Sequence, residues 1–477
     1  MNARCRAALL AAALLGALPA QAQLAGKLDA APCPSSREAE VPLHVPLSLP
    51  AAVDLALCRN AQVHGAWAGI RLQAAGVGEA RAAYLPTLNG SLSRVHDRTA
   101  YPGARTASSS LDSNTGSLSL SWRLFDFGGR AAGQRSAQAL LDAALANRDA
   151  VLQKTLAATV SAYFDAQTAR ASVRMRQAYE ALAQETVQAT RRRAQRGLGS
   201  HSDTLQATSA LAKAALGASR ADGDERKARA VLVYTLGLAA GTAVLVDDDG
   251  DGAGAGSSAG AGWRDDLSTW LALARERHPA IVAAQAQLAA ARDRVDIARS
   301  EGRPSIDLTA NLYQNGRPNQ GLSPASTRET LVGISLNIPL FDGFARHYKV
   351  RGAQAQAEQR EAEAQEVQQQ TLMDLVRTHA EASTALANLS AAQTWLDAAQ
   401  DALASVQRKF GLGAADILEM LNTQSALLEA QQERIRCQAE WRSARLRLLA
   451  SAGMLGRGDI AQEGGASGGK LRASTAR

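Results

Sequence analysis

Residue types able to do chemistry are few in this chain, and their spacing fits none of the usual constellations. The seven histidines (His44, His64, His96, His201, His278, His347 and His379) are scattered, with no His-x-x-x-His helix pair for a metal and no nucleophile elbow. Asp247, Asp248, Asp249 and Asp251 invite a calcium-loop reading, but the ligand spacing and closing Glu of that loop are absent. Residues 464–470 imitate part of a phosphate loop, yet Leu471 stands where a Ser or Thr is required. No catalysis, metal or cofactor is expected. Two acids recur in matching contexts instead: Asp203 six residues after Gly197, and Glu419 six residues after Gly413, each opening an Ala-rich segment.

Those acids are placed by a chain of 477 residues that is 46% hydrophobic but only 4% aromatic. Ala takes the place of the aromatics that usually dominate cores, which suits long, closely packed helices. Arg4 and Arg6, the apolar run 7–18 and Ala20-Gln21-Ala22 read as a secretory signal over 1–22, too short to span a bilayer. Its removal takes Lys+Arg from 52 to 50 against 45 acids, leaving a net +5. That thin excess, without aromatic interleaving, argues against nucleic acid as a partner. Beyond the signal no stretch approaches the ~20 apolar residues of a spanning helix, which excludes a helical membrane protein. Cys5 leaves with the signal, and no Cys directly follows the cleavage site, so lipid anchoring there is not expected. Cys33 and Cys58 either form a disulfide in an oxidising compartment, pinning the N-terminal extension to the first helix, or remain two thiols. Cys437 on a helix reads as packing.

The chain repeats itself. Residues 49–86 match 267–304 at an offset of 218, and Leu124-Phe125-Asp126 matches Leu340-Phe341-Asp342 at 216. The segment 207–214 matches 423–430, again at 216. Recurrence of both order and spacing makes two copies of one unit the simplest account. The partition is then signal 1–22, extension 23–48, first copy 49–240, acidic and Gly-rich linker 241–266, second copy 267–453 and a polar tail 454–477.

Each copy reads as a helix, two strands and two long helices. In Ser305–Leu312 apolar and polar residues alternate, placing Ile306, Leu308 and Leu312 on one face. Ser117–Leu124 alternates as cleanly, and Val332, Ile334, Leu336, Ile338 and Leu340 share a face opposite Ser335 and Asn337. Strands of about 9–11 residues, joined by polar loops near 98–115 and 315–329, have the length to cross a bilayer at a tilt. A sheet over an ordinary core would alternate in the same way, and periodicity alone leaves the two open. If the strands span, four cannot close a barrel, so several chains must share one. From about Arg130 to Arg196 and from Ala345 to Phe410 there is no Pro, and at ~1.5 Å per residue each helix would reach ~100 Å. Ala385, Leu389, Ala392, Leu396, Ala399, Leu403, Val406 and Phe410 form a 4-3 heptad seam. A pore-free coiled-coil envelope protein would show that seam too.

Taken together, these features resemble the TolC-type outer-membrane efflux proteins across nearly all of the mature chain. The resemblance rests on Asn60 and His278-Pro279 in the opening helices, the Leu-Phe-Asp elements after each second strand, and Gly197 with Asp203 matched by Gly413 with Glu419. It implies an all-α coiled-coil tunnel on a transmembrane β-barrel, with two helix–strand–strand–helix–helix repeats. Four strands per chain would give a homotrimeric 12-stranded barrel in the outer-membrane lipid. The tunnel would extend into the periplasm to meet an adaptor protein and an inner-membrane transporter, of the ABC or another efflux class. Carried over by position, Ser202, Asp203, Glu419 and Asn422 fall at the tunnel's periplasmic constriction. Phe410 stands where the family often has Tyr, and Ala415 where its best-known members have a basic residue. Neither offers the expected hydroxyl or charge, so coiled-coil packing is expected to hold the gate. Arg408, Lys409 or the run Arg191-Arg192-Arg193 are substitute cations, although the run also reads as a solvated helix face. The sequence looks most like the branch that exports RTX-type toxins by type I secretion. An outlet for multidrug or small-molecule efflux is the alternative.

Overall fold

A computed structural model describes residues 46–99, 109–197, 199–247, 266–315, 327–412 and 414–460. The expected signal, Cys33, Gly413, most of the acidic linker and the tail beyond 460 lie outside them. In chain order the elements are α1 (Leu49–Arg59), α2 (Ala61–Ala82), β1 (Thr87–Thr99), β2 (Ser109–Phe125), α3 (Gly129–Gln195) and α4 (His201–Thr235). The same succession recurs as α5 (Leu267–Arg277), α6 (Pro279–Ser300), β3 (Ser305–Asn315), β4 (Thr327–Asn337), α7 (Ala345–Gly411) and α8 (Ile417–Ser451). α3 and α7 are each 67 residues long and α4 and α8 each 35, so the duplication holds to the residue.

The opening helix of each copy is split, where one continuous helix was expected. Both breaks have the same backbone: Asn60 at φ −67°, ψ 126° and His278 at φ −65°, ψ 124°. Pro279 drives His278 out of the helical region by the steric rule for residues before proline. In the first copy Ala61, not a proline, follows the break residue. Asn60 does the work with its side chain, accepting from the Gln62 N–H at 2.8 Å and donating to the Thr235 carbonyl at 3.1 Å. A left-handed glycine packs against each break. A Cβ on Gly237 (φ +71°) would sit 2.5 Å from the Arg59 carbonyl oxygen, and one on Gly453 (φ +74°) 2.7 Å from Pro279 Cδ. Burial lowers the pKa of the His278 ring, keeping it neutral at the break.

By contact the chain divides into two units. One comprises the described parts of 1–68, 147–280 and 368–477. Its main core joins α1 (Leu49, Val53), the middle of α3 (Val160, Phe164), the end of α4 (Leu232, Leu236) and the end of α8 (Leu446). Val244, Val246, Leu455 and Ile460 are buried in the same core. The segments read as linker and tail therefore begin inside it: Leu47 bridges Val246 in parallel, and residues 457–460 are helical. Sequence reading placed the tail's start at 454 because polar and glycine residues outnumber Leu455 and Ile460. A second cluster packs Leu375, Ala382 and Ala385 of α7 against Trp441, Ala444 and Leu448 of α8. Ala385, Ala392, Ala399, Leu403 and Val406 of the heptad seam are buried, while Leu389, Leu396 and Phe410 are half-buried.

The other unit, 69–146 and 281–367, carries the four-stranded antiparallel sheet in the order β1-β2-β3-β4. Below the sheet, Ser136 donates to the Ala290 carbonyl at 3.1 Å and Arg135 pairs with Asp293 at 2.8 Å, tying α3 to α6. β1 and β2 run 13 and 17 residues, longer than the 9–11 expected, and they extend through half of the segment read as a loop. Alternation stops at Leu92 and Leu118 because both faces turn polar there, although the backbone ladder continues. His96, paired with Asp112 at 2.8 Å across the strands, is one of the polar cross-strand pairs on this extension.

Candidate functional site

Two features carry the candidate function: the faces of the sheet and the ends of the long helices. The register fixes the faces. Leu88, Leu120, Ala310 and Val332 lie in one row, Trp122, Leu308 and Ile334 in the next, and Ile306 and Leu336 beyond them. The opposite face carries Asn89, Ser91, Ser117, Ser119, Ser121, Thr309, Asn311 and Ser335, with Leu331 as an apolar exception. Ser91 and Ser117 share a hydrogen bond of 2.8 Å there, and Arg123 pairs with Asp307 at 3.0 Å. The apolar face is not folded onto a core: Leu88, Leu92, Val332, Ile334 and Leu336 are 60–93% exposed. One dry face, one polar face and, among the described residues, no helix covering either is the division that a barrel wall between lipid and water requires.

The strands turn into helices through a duplicated device that sequence reading recognised only in part. Asp126 accepts from the Arg130 N–H at 2.8 Å and pairs with its guanidinium, which also reaches the Arg123 carbonyl at 2.6 Å. Asp342 and Arg346 repeat the arrangement, with the second carbonyl supplied by Pro339 at 2.9 Å. The signal was legible, since Arg346 follows Arg130 at the same 216 offset as the aspartates. At these turns Phe127 and Phe344 take positive φ (50° and 70°). Each is edge-on to a neighbour, Phe125 and Phe341, at 4.7 and 5.5 Å. All four rings are exposed, as expected of an aromatic girdle at a membrane boundary.

At the far ends of α3 and α7 the residues read as a constriction take different roles. Ser200 and Asp203 form a capping box at the start of α4: Ser200 Oγ accepts from the Ser202 N–H at 3.0 Å, and Asp203 from the Ser200 N–H at 3.1 Å. The Asp203 carboxylate therefore holds a helix start as well as carrying charge. In the second copy Asp416 caps α8, accepting from the Glu419 N–H at 2.7 Å, and leaves the Glu419 side chain exposed. Ser202 and Asn422 are exposed, and no hydrogen bond joins Asp203, Glu419 and Asn422 among the described residues.

Phe410 is engaged differently. Arg193 Nη1 donates to its carbonyl at 2.7 Å, and the same guanidinium lies over its ring at 4.6 Å. The arginine run is thus divided: Arg191 and Arg192 are exposed, as a solvated face would have them, while Arg193 is half-buried and bridges α3 to α7. Phe410 and Ala415 pack against Leu403, Val406, Ile417 and Met420. One side chain near this end went unrecognised. Gln424 is buried and donates to Thr186 Oγ1 at 3.2 Å, joining α3 to α8. Of the cysteines, Cys58 is disulfide-bonded and Cys437 is a buried free thiol.

With this geometry in place, comparison with known proteins gives a consistent result. The model of the outer membrane efflux protein family matches twice, over residues 52–238 and 270–454. Protein CyaE of Bordetella pertussis is 36% identical over 414 residues, spanning 87% of this chain and 85% of the relative. Alkaline protease secretion protein AprF of Pseudomonas aeruginosa is 24% identical over 388 residues, spanning 80% and 79%. The crystal structure of the outer membrane protein VceC of Vibrio cholerae superposes with a TM-score of 0.72 at 20% identity, covering 85% of this chain and 96% of that one.

Proposed function

The chain belongs to the outer membrane efflux protein family, and from that premise we propose that it is the outer-membrane duct through which a tripartite machine secretes a protein. Its place is the outer membrane, with helices extending into the periplasm, and it works as a channel component beside an inner-membrane transporter and an adaptor.

The observation that carries the duct is the sheet. Four strands segregate apolar from polar residues, and β1 and β4 each have a single neighbour among the described residues. In lipid those edges need partners, so three chains closing a 12-stranded barrel is the arrangement proposed, its lumen lined by the Ser/Thr/Asn face. Two repeats, 49–240 and 267–453, each supply one hairpin and one coiled coil. The transporter proposed is an ABC exporter. Export of a protein is supported by relatives named for protease secretion, AprF among them, and a toxin is the cargo class proposed.

The constriction is proposed at Ser202, Asp203, Phe410, Glu419 and Asn422. Arg193 on Phe410 is the latch between α3 and α7, taking over from the missing hydroxyl and basic residue. Asp203 and Glu419 form the charged ring that meets the cargo. Cys33 is proposed as the disulfide partner of Cys58, tying the extension to α1.

Deleting the gene and measuring secreted proteins and drug tolerance in one strain tests the assignment. Loss of one large secreted protein with tolerance intact is expected. Lowered tolerance with an unchanged secreted set would make the chain an efflux outlet instead.

A further inference from the structure

The apolar face of the sheet does not end at a plain polar rim. At the loop end of the strands, Gly116 faces Leu92 across β1–β2 and Gln314 across β2–β3. A Cβ on Gly116 would lie 3.2 Å from Leu92 Cδ2 and crowd it, so glycine keeps that strip of sheet open. Two adjoining depressions of about 490 and 420 Å³ lie over it. Leu92, Gly116 and Gln314 are common to both; Asn114 and Arg94 add to the first, and Leu118, Leu312 and Arg328 to the second. Both arginines are exposed and, among the described residues, neither forms an ion pair. The nearby Asp112 is bonded to His96, and Glu329 falls on the opposite face, across from Tyr313.

We propose that this grooved patch is a binding site for a bis-phosphorylated, multiply acylated glycolipid of the outer leaflet. The inference rests on the outer-membrane reading above and deepens it by naming a lipid. Three observations converge on that class. Leu92, Leu118 and Leu312 give acyl chains an apolar strip to lie along, beside Gly116 and Gln314. The guanidinium groups stand at the height where alternation ends, so phosphate meets them as the chains meet leucine, and a guanidinium matches phosphate with paired donors. Arg94 and Arg328 sit on β1 and β4, three strand spacings across and two residues along the strand, or about 16 Å apart at the backbone. One phosphate cannot reach both, whereas two phosphates at the ends of a disaccharide can. At the aromatic turns on the other end of the strands Arg130 and Arg346 are paired with Asp126 and Asp342 and Arg303 reaches the Phe127 carbonyl, whereas at the outer end Arg328 touches only the neutral Gln314 amide at 3.4 Å among the described residues.

The test uses the full-length protein purified in detergent, delipidated and titrated with lipid A, with lipid A lacking both phosphates, and with phosphatidylglycerol, reading bound lipid by native mass spectrometry. Barrel formation is checked in the same samples by heat-modifiable migration and insertion into planar bilayers. Wild type should retain lipid A over the dephosphorylated form, and R94Q/R328Q should lose that preference, by about fivefold for each arginine. R123Q, on the polar face, should bind as wild type does. Equal binding of all three lipids by wild type, or undiminished lipid A binding by R94Q/R328Q in barrels that insert normally, overturns the site. Failure of wild type to insert overturns the membrane reading on which the site rests. The comparison of phosphorylated with dephosphorylated lipid on wild type needs no variant, so a folding defect in R94Q/R328Q would not protect the proposal.

Discussion

Removing the Arg193 guanidinium should destabilise the closed duct without unfolding the chain. Two interactions are lost in Arg193→Gln: the cation over the Phe410 ring at 4.6 Å and the charged donor to the Phe410 carbonyl at 2.7 Å. A half-exposed cation–π contact contributes roughly 0.5–1 kcal/mol. A hydrogen bond from a charged group contributes roughly 1.5–3 kcal/mol, and partial solvation at this site argues for the lower limit. Together they come to about 2 kcal/mol per chain, or about 30-fold in the closed-to-open ratio of one latch. If three chains open in concert, the effect is about 6 kcal/mol, enough to convert a mostly closed channel into a mostly open one. Phe410→Ala keeps the carbonyl acceptor and loses the ring, so its direct latch effect should be smaller, about fivefold per chain. Because both changes remove the same ring contact, R193Q/F410A should fall short of the two single effects combined. Single-channel recording in planar bilayers reads this as longer dwell in high-conductance states, with Arg191→Gln as the exposed control. If Arg193→Gln and wild type show the same conductance distribution, the latch is not part of the gate. Strict additivity in R193Q/F410A would show that the two residues act separately, despite their contact.

Further outcomes follow from the same geometry. Asp203→Asn with Glu419→Gln should weaken cation preference in bilayer reversal potentials, and unchanged ion preference would remove both from the constriction. Asp203→Asn alone should also cost about 1 kcal/mol through the capping box, seen as a lower melting temperature. Phe164, 1% exposed in the main core, should cost roughly 3–5 kcal/mol on replacement by Ala, read by denaturant unfolding of the solubilised protein. Partial desolvation raises the pKa of Asp165, whose side chain still meets solvent, against smaller opposing effects from Ser161 and Arg447. The folded state therefore holds its proton more tightly, and stability falls as pH rises through that window. Asp165→Asn should accordingly melt higher than wild type at neutral pH, with the gain vanishing below the ordinary Asp range; a gain that persists in acid would refute burial as its cause. Non-reducing peptide mapping should find Cys33 linked to Cys58, and a free Cys33 thiol would exclude that pairing.

Periodicity and repetition made the architecture legible before any coordinates. A 216–218 residue offset, two proline-free runs and alternation in short segments are local properties of the chain, since helices and strands impose periods of 3.6 and 2 on whatever they bury. The positions of Asp203, Phe410 and Glu419 near the ends of long helices could be read the same way. What the partners of those residues are could not. Arg191, Arg192 and Arg193 are identical in type and adjacent, and only the helical phase of α3 against α7 decides that Arg193 alone meets Phe410. Asp416 rather than Glu419 caps α8, a choice made by backbone direction where the helix begins. The outer ends of β1 and β2 escaped pattern reading because their ladder is held by backbone hydrogen bonds, which leave no hydrophobic trace once both faces are wet. Likewise the groove over Gly116 exists only because register sets a glycine beside Leu92 and Leu312 of the neighbouring strands and Leu118 of its own. Elements follow from periods along one chain, whereas sites depend on which faces of separate elements meet, and that is set by packing.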